Sequence, residues 1–351
     1  MSGRKNKRKR RADRSRKNTN NNKQEDCLSA SSSPTNNKKR RRAEDSTKPP
    51  NMSFETCVVV FQDAIESYLQ NNCSNNNNHH PGEHDGSEEN DNGVSLAFFD
   101  LANAPFVGYR IRESQTNHKK ENSKKMIQVK QDISACGKHT GGIVWETSYL
   151  LLQYLLATQQ QKHQQQPKLG KTLEVGAGCG LLGQVIAAHQ LAKKVVMTEI
   201  KQVMDNLQAN VERNKELLLK LQEKKKKTCL HVLDLDWEQV ERDAKKEPEH
   251  LKPHSFDTIL GTDVVFTPKL VEPLWKTLQY MSHPETNIYL CLQERCAASH
   301  KLLLEKAPDY HFQIQDITPD LEDIESCQWG SSLECRMFHI TRLRGEEETK
   351  R

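Results

Sequence analysis

The sequence predicts an α/β fold, a seven-stranded, mostly parallel sheet with helices on both faces and an antiparallel hairpin at its C-terminal end. Three observations predict it. From residue 172 to residue 306, apolar runs bounded by polar or glycine residues alternate with helical stretches, which is the order of consecutive βα units. A glycine-rich turn stands directly between the first of these runs and the helix after it. Two further strand-like runs follow with no long helix between them.

The parallel strands are expected at Thr172 to Val175, Val195 to Thr198, Leu230 to Leu233, Thr258 to Leu260 and Ile288 to Leu292. Helices with apolar residues three or four apart are expected from Leu181 to His189, Gln202 to Asn214, Lys269 to Met281 and Ala297 to Lys306. His311 to Ile317 and Arg336 to Thr341 supply the closing hairpin. An earlier helical pattern, Ile143, Val144, Trp145, Tyr149, Leu150, Leu152, Tyr154, Leu155 and Leu156, opens the domain and runs into the Gln-rich linker at Gln159 to Gln166. Upstream, Phe54 to Leu69 is an apolar patch of either helical or strand type, and Val94 to Tyr109 holds a second modest element. Met126-Ile127-Gln128-Val129 alternates like a strand. These pieces are expected to form a lid or hairpin in front of the main domain.

Composition divides the chain further. A hydrophobic fraction of 34% and a mean hydropathy of −0.84 say that much of the 351 residues is not core. Residues 1–52 read as a disordered basic arm, with cation clusters across 4–17 and 38–42 and almost nothing apolar between them. Residues 53–139 form a poorly defined region with an Asn-, His- and Glu-rich stretch, and residues 140–345 form the main domain. The net charge of +5 resides in the arm, so the folded part need not bind nucleic acid. The arm lacks the apolar segment of a signal peptide and no stretch reaches the ~20 apolar residues of a membrane span, so a soluble protein of the nucleus, the cytoplasm or both is expected. The ten cysteines include no C-x-x-C pair and no ordered spacing to histidines, so they read as reduced thiols rather than metal ligands or disulfides. His79, His80 and His84 lie in low-complexity sequence and read as part of it.

The strongest chemical signal is Leu173-Glu174-Val175-Gly176-Ala177-Gly178-Cys179-Gly180-Leu181, a buried strand running through a glycine-rich turn into a helix. Glycines let the backbone turn tightly and approach a ligand, and the helix N-terminus offers free amides. The dinucleotide fingerprint would place a glycine three residues after Gly178, where this chain has Leu181; the pattern is G-x-G-x-G instead. A ligand without a pyrophosphate fits such a loop, and S-adenosylmethionine is one, its amino-acid end and sulfonium needing close backbone and a nearby acid that Glu174 could supply. Glu199 ends the second strand, about twenty residues beyond the glycines, where a carboxylate accepts from both ribose hydroxyls. After the third strand, Leu233-Asp234-Leu235-Asp236-Trp237 offers an acid for an adenine amino group and an aromatic for its face, with the choice between the two acids open. After the fourth, Gly261-Thr262-Asp263-Val264-Val265-Phe266 puts an acid and an aromatic at the carboxyl edge of the sheet, where a methyl acceptor would sit. The absence of an N-P-P-Y tetrad there lowers methylation of nucleic-acid bases.

Together with Gly142-Ile143-Val144-Trp145-Glu146, these segments resemble the seven-strand, Rossmann-like class I protein lysine methyltransferases of methyltransferase family 16 over roughly Gly141 to Thr341. The resemblance implies an S-adenosyl-L-methionine pocket formed by Trp145, Glu174, Gly176, Ala177, Gly178, Cys179, Gly180, Glu199, Asp236, Trp237 and Thr262. It places Asp263 and Phe266 in the family's D-x-x-Y/F motif beside the acceptor. Phe266 stands where many members carry Tyr, so no hydroxyl orients the amine, although the ring face still favours a cationic side chain. A lysine of a non-histone protein is the expected acceptor, and a monomer with no membrane partner is expected. The rivals are an RNA methyltransferase using the arm against phosphates and a non-catalytic protein that keeps the fold. The arm reads better as an import signal for an import receptor.

Overall fold

The structure is a computed structural model that describes residues 58–67, 100–111, 125–135, 139–160, 169–222 and 228–343. The expectations for the basic arm and the His79-His80-His84 cluster fall outside these residues.

The main sheet comprises β4 (Lys171–Val175), β5 (Lys194–Glu199), β6 (Cys229–Asp234), β7 (Phe256–Thr262), β8 (Ser282–Gln293), β9 (Phe312–Asp316) and β10 (Cys335–Arg342), in the order β6-β5-β4-β7-β8-β10-β9. All pairs are parallel except those made by β10, which runs antiparallel to both β8 and β9. The expected seven strands and C-terminal antiparallel pair are present. Strand order reverses between β4 and β7, so the chains leaving their carboxyl ends diverge and leave a crevice there.

Helices α1 (Glu146–Gln160), α2 (Leu181–Ala188) and α3 (Lys201–Gln222) cover one face. The opposite face carries α4 (Val240–Lys246), α5 (Pro268–Met281) and α6 (Ala297–Lys306). Each face has its own apolar core because successive residues of a strand alternate sides: Leu173 and Val175 join the second core. Glu174, between them, therefore points the other way, under α2. There it is 3% exposed; its carboxyl accepts from the Gly183 amide and Oε2 has no partner. A Cβ at Gly183 would stand 2.5 Å from that oxygen, so glycine is what allows α2 to lie so close to the sheet. Burial pushes the Glu174 carboxyl up to about 8, so near neutral pH it is held mostly protonated.

Several elements run longer than the sequence pattern predicts, α3 and β8 by the most. Helix α3 continues eight residues past Asn214, because its buried stripe includes the polar residues Asn210, Asn214 and Gln222 along with Val203, Leu207 and Leu218. Strand β8 begins at Ser282, directly after α5, with a register irregularity against β7 between Phe256 and Thr258.

Upstream of residue 140 stands a three-stranded sheet of β1 (Val58–Val60), β2 (Phe106–Arg110) and β3 (Met126–Lys130), with β2 and β3 forming the expected antiparallel hairpin. Residues 61–67 are helical. Rather than standing in front of the domain, these pieces share its first core: Phe61 stacks on Tyr149 of α1 with ring centroids 4.0 Å apart, and Val107, Ile127 and Val129 are fully buried. The free edge of β3 is closed by side chains. Asn214 accepts from Gln128 N (3.0 Å) and donates to Gln128 O (2.8 Å), and Asn210 does the same for Lys130 (2.7 and 2.9 Å). Residues four apart on a helix face thus meet alternate residues of a strand, so two carboxamides replace a missing neighbour strand. Asn210 also donates to Cys179 O and Asn214 to Gln184, which ties the small sheet to the start of α2.

Asn214→Ala should lower unfolding free energy by roughly 2 to 3 kcal/mol in urea melts, since it strands the Gln128 backbone groups and Gln184 together; an unchanged midpoint would show that the amides do not hold this edge. The raised Glu174 carboxyl predicts a stability contribution present below about pH 4.5 and lost as pH rises towards about 8, because the folded state binds the proton more tightly than the unfolded chain. Glu174→Gln should therefore match wild type near pH 5 and exceed its melting temperature at pH 8; parallel pH profiles would contradict this.

Candidate active site

Five stretches of chain converge at the carboxyl ends of β4 to β7 around a cavity of about 1010 Å³, its open mouth included. They are residues 139–145 leading into α1, the glycine turn after β4, Glu199 and Ile200 after β5, residues 235–238 after β6, and residues 262–266 after β7. The first is positioned by Gln131, whose amide oxygen accepts from Val144 N (2.6 Å) while its NH₂ donates to Leu101 O and Ala104 O. A side chain just past the end of β3 thus sets one wall of the cavity.

The glycine turn is left-handed at Gly176 (φ 67°), Gly178 (φ 54°) and Gly180 (φ 79°), a region that costs other residues strain. A Cβ on Gly176 would lie 3.0 Å from Val264 and 3.6 Å from Trp237, in space facing the cavity. The turn is pinned by Ala177 N donating to Thr198 O and by Gly178 N donating to Glu199 Oε2 at 3.4 Å. Glu199 is 9% exposed; burial raises its carboxyl to about 7, against the pull of the Ile200 and Gly178 amides. It is a buried acceptor at the cavity wall.

Of the two acids left open after β6, Asp236 lines the cavity and Asp234 does not. Asp236 caps a short 3-10 turn, accepting from Glu238 N at 3.0 Å, and Trp237 stands partly buried next to it. Thr262 meets Ser148 of α1, their hydroxyl oxygens 2.9 Å apart. Phe266 is 37% exposed, beside Leu270 and Pro273 of α5 at the mouth.

Trp145, Gly176, Ala177, Gly178, Cys179, Gly180, Glu199, Asp236, Trp237, Thr262, Asp263 and Phe266 all line this one cavity. Glu174 is the exception among the residues singled out from the sequence. The strand's alternation turns it beneath α2, so it braces the turn from behind and is not among the residues lining the cavity. Sequence reasoning also missed Arg295. Its Nε and Nη2 donate to Asp263 Oδ2 at 3.0 and 2.7 Å, and Nη2 reaches Glu146 Oε1 at 3.0 Å. Its guanidinium lies 4.2 Å over the Trp145 ring. The available signal was position: Arg295 stands two residues past the end of β8, at the same carboxyl edge as Asp263. Asp263 adopts φ 51°, and its Oδ1 accepts from Gln293 N at 2.8 Å. Burial raises its carboxyl, and Arg295 and the Gln293 amide draw it back. Among the described residues, no group of three potential metal ligands is present.

The chain is similar to several curated proteins over its central part. Protein-lysine methyltransferase METTL21E of Mus musculus is 28% identical over 187 residues, which cover 53% of this chain and 66% of that protein. EEF1A lysine methyltransferase 3 of Xenopus tropicalis is 26% identical, covering 57% and 74%. Protein N-lysine methyltransferase METTL21A of Danio rerio is 26% identical, covering 55% and 78%. The match thus spans just under two thirds of the first of these relatives. The profile of a family described as lysine methyltransferase matches residues 121–307, more than half of the chain and all of the cavity, and the chain belongs to that family.

Proposed function

We propose that the protein is an S-adenosylmethionine-dependent protein-lysine N-methyltransferase whose acceptor is a lysine side chain of a non-histone protein. The observation that carries this reading is the union, in one cavity, of a left-handed glycine turn, a buried ribose-type acid and an apolar aromatic mouth. The cavity fits the cofactor by its chemistry: space that a Cβ at Gly176 would fill, and a buried carboxylate at Glu199 with few donors of its own.

In this reading Glu199 accepts from both ribose hydroxyls, Asp236 accepts from the adenine amino group, and Trp237 covers the ring face. The turn from Gly176 to Gly180 brings backbone against the amino-acid end, with Thr262 and Trp145 completing the wall. When bound, the cofactor supplies a methyl group made electrophilic by its sulfonium. The protein's part is to present an uncharged amine in line with that methyl and to exclude water. Phe266, Leu270 and Pro273 hold the aliphatic stem of the acceptor lysine, and the Phe266 ring face favours the cationic product. Asp263 orients the amine as one half of an ion pair with Arg295, not as a bare carboxylate.

The basic clusters across 4–17 and 38–42 support import to the nucleus through an import receptor. No described helix is long and apolar enough to cross a membrane, and the protein acts as a monomer in this reading.

Calorimetric titration with S-adenosylmethionine, followed by labelled cofactor in cell lysate fractions, tests the reading. Binding with a labelled protein band supports it. Label in RNA would replace it with a nucleic-acid acceptor, and no binding would replace it with a non-catalytic role.

Cofactor hydroxyls donate to the charged form of Glu199, so affinity should weaken as pH falls below about 7, approaching tenfold per unit, and level off above it. Glu199→Gln should bind more weakly than wild type at and above about pH 7, with that slope removed so that the two converge as pH falls; a sloping variant would mean another group titrates. Asp263→Asn, which tolerates the left-handed backbone, should keep cofactor affinity within about threefold while methyl transfer falls at least about a hundredfold. Full transfer by this variant would remove Asp263 from the acceptor site.

A further inference from the structure

Arg295 makes an unusual set of contacts for a residue at the rim of a site that should receive a lysine. Its guanidinium pairs with Asp263 from the end of β7, pairs with Glu146 from the first turn of α1, and stacks on Trp145 at 4.2 Å. The Asp263 side chain is 4% exposed and that of Glu146 is 15% exposed, so water solvates both acids little. A buried carboxylate at Asp263, a half-buried one at Glu146 and an indole face are what a substrate ammonium would seek. Here they are already occupied from within the chain.

The chemistry makes this occupation useful. Methyl transfer would form an N–C bond from the amine's lone pair while the sulfonium S–CH₃ bond breaks and its electron pair returns to sulfur as a neutral thioether, so that lone pair must not carry a proton beforehand. A bare pair of acids would bind the acceptor as its ammonium and raise its pKa, giving tight binding of an unreactive form. We propose that Arg295 is a positioning residue that keeps Asp263 and Glu146 paired within the protein, so that the acceptor amine enters the site uncharged. This rests on the lysine methyltransferase reading above and adds to it the device that sets the acceptor's protonation.

The other ionisable groups around this cluster are the same in every protein compared. Burial pushes up the thiols of Cys291 on β8 and Cys335 on β10 and the hydroxyl of Tyr149 on α1, so all three stay neutral. His300 of α6 is lowered by burial and is neutral as well. Glu294 adjoins Arg295 in sequence, and His139, Glu199, Asp236 and Glu238 line the same cavity; all five are common to wild type and variants. A comparison between proteins therefore isolates Arg295.

The test uses the full chain at saturating S-adenosylmethionine. The rate of label transfer to the principal acceptor band of a cell lysate is followed from about pH 6 to 10 for wild type, Arg295→Gln and Arg295→Lys, with cofactor affinity measured in parallel. Arg295→Gln should move the midpoint of the rate profile about one unit alkaline, with its high-pH rate recovering towards wild type and cofactor affinity within about twofold. Arg295→Lys, which restores the charge, should bring the midpoint back. A uniform loss of rate with an unmoved midpoint would overturn the proposal and leave Arg295 a structural clamp. If Arg295→Gln fails to fold, Glu146→Gln removes one carboxylate and should shift the midpoint in the acid direction; an unmoved midpoint there also overturns it. A wild-type protein that binds no cofactor and labels nothing would instead sink the functional reading, and the role of Arg295 with it.

Discussion

The turn between β4 and α2 is the constraint on which the rest of the site depends. β4 is central, paired on both sides, and its chain must leave the sheet, reverse and enter a fully buried helix within five residues. Only left-handed backbone at Gly176, Gly178 and Gly180 makes that reversal, and a Cβ at Gly176 would meet Val264. Because strand order reverses at the same place, the reversed chain opens onto a crevice instead of a neighbouring connection. The amide of Gly178 then points at Glu199, so the turn and the buried acid define one another.

The rest of the molecule supports that turn from behind. Glu174 and Gly183 let α2 lie against the sheet, and Asn210 and Asn214, themselves 80 and 86 residues away in sequence from the strand edge they hold, fasten the same region to it. The small sheet acts back on the cavity through Gln131, which fixes the backbone just before Trp145. Buried amides serve here because each carries donors and acceptors together, and a backbone edge demands both.

The electrostatics of the cavity follow one logic. Glu174 and Glu199 are buried with few donors and both are pushed up, one by its place under a helix and the other in a wall awaiting hydroxyl donors. Asp263 and Glu146 are handled differently, by an internal guanidinium. The first arrangement suits a polyol with protons to share, and the second keeps negative charge from holding a proton on an amine.

The sequence by itself determined the fold class, the succession of βα units and the identity of most of the cavity. Each of those features is local: a strand period, a helix period, a glycine turn, an acid at a strand end. Trp145, Glu199, Trp237, Asp263 and Phe266 could be named because they stand at fixed places relative to such elements. Tertiary structure alone decided which way Glu174 faces, since one residue of register in β4 sends it to either side of the sheet. It showed that Asp236, as the resemblance implied, and not Asp234 lines the cavity, where the residues alone leave both open. It alone joined Arg295 to Asp263 and Glu146, contacts that span 32 and 149 residues and leave no periodic trace in the chain. The same holds for Asn210 and Asn214, which read as polar residues ending a helix until a strand edge is placed against them. Pairings between distant polar groups are set by packing geometry, and packing is a property of the whole fold.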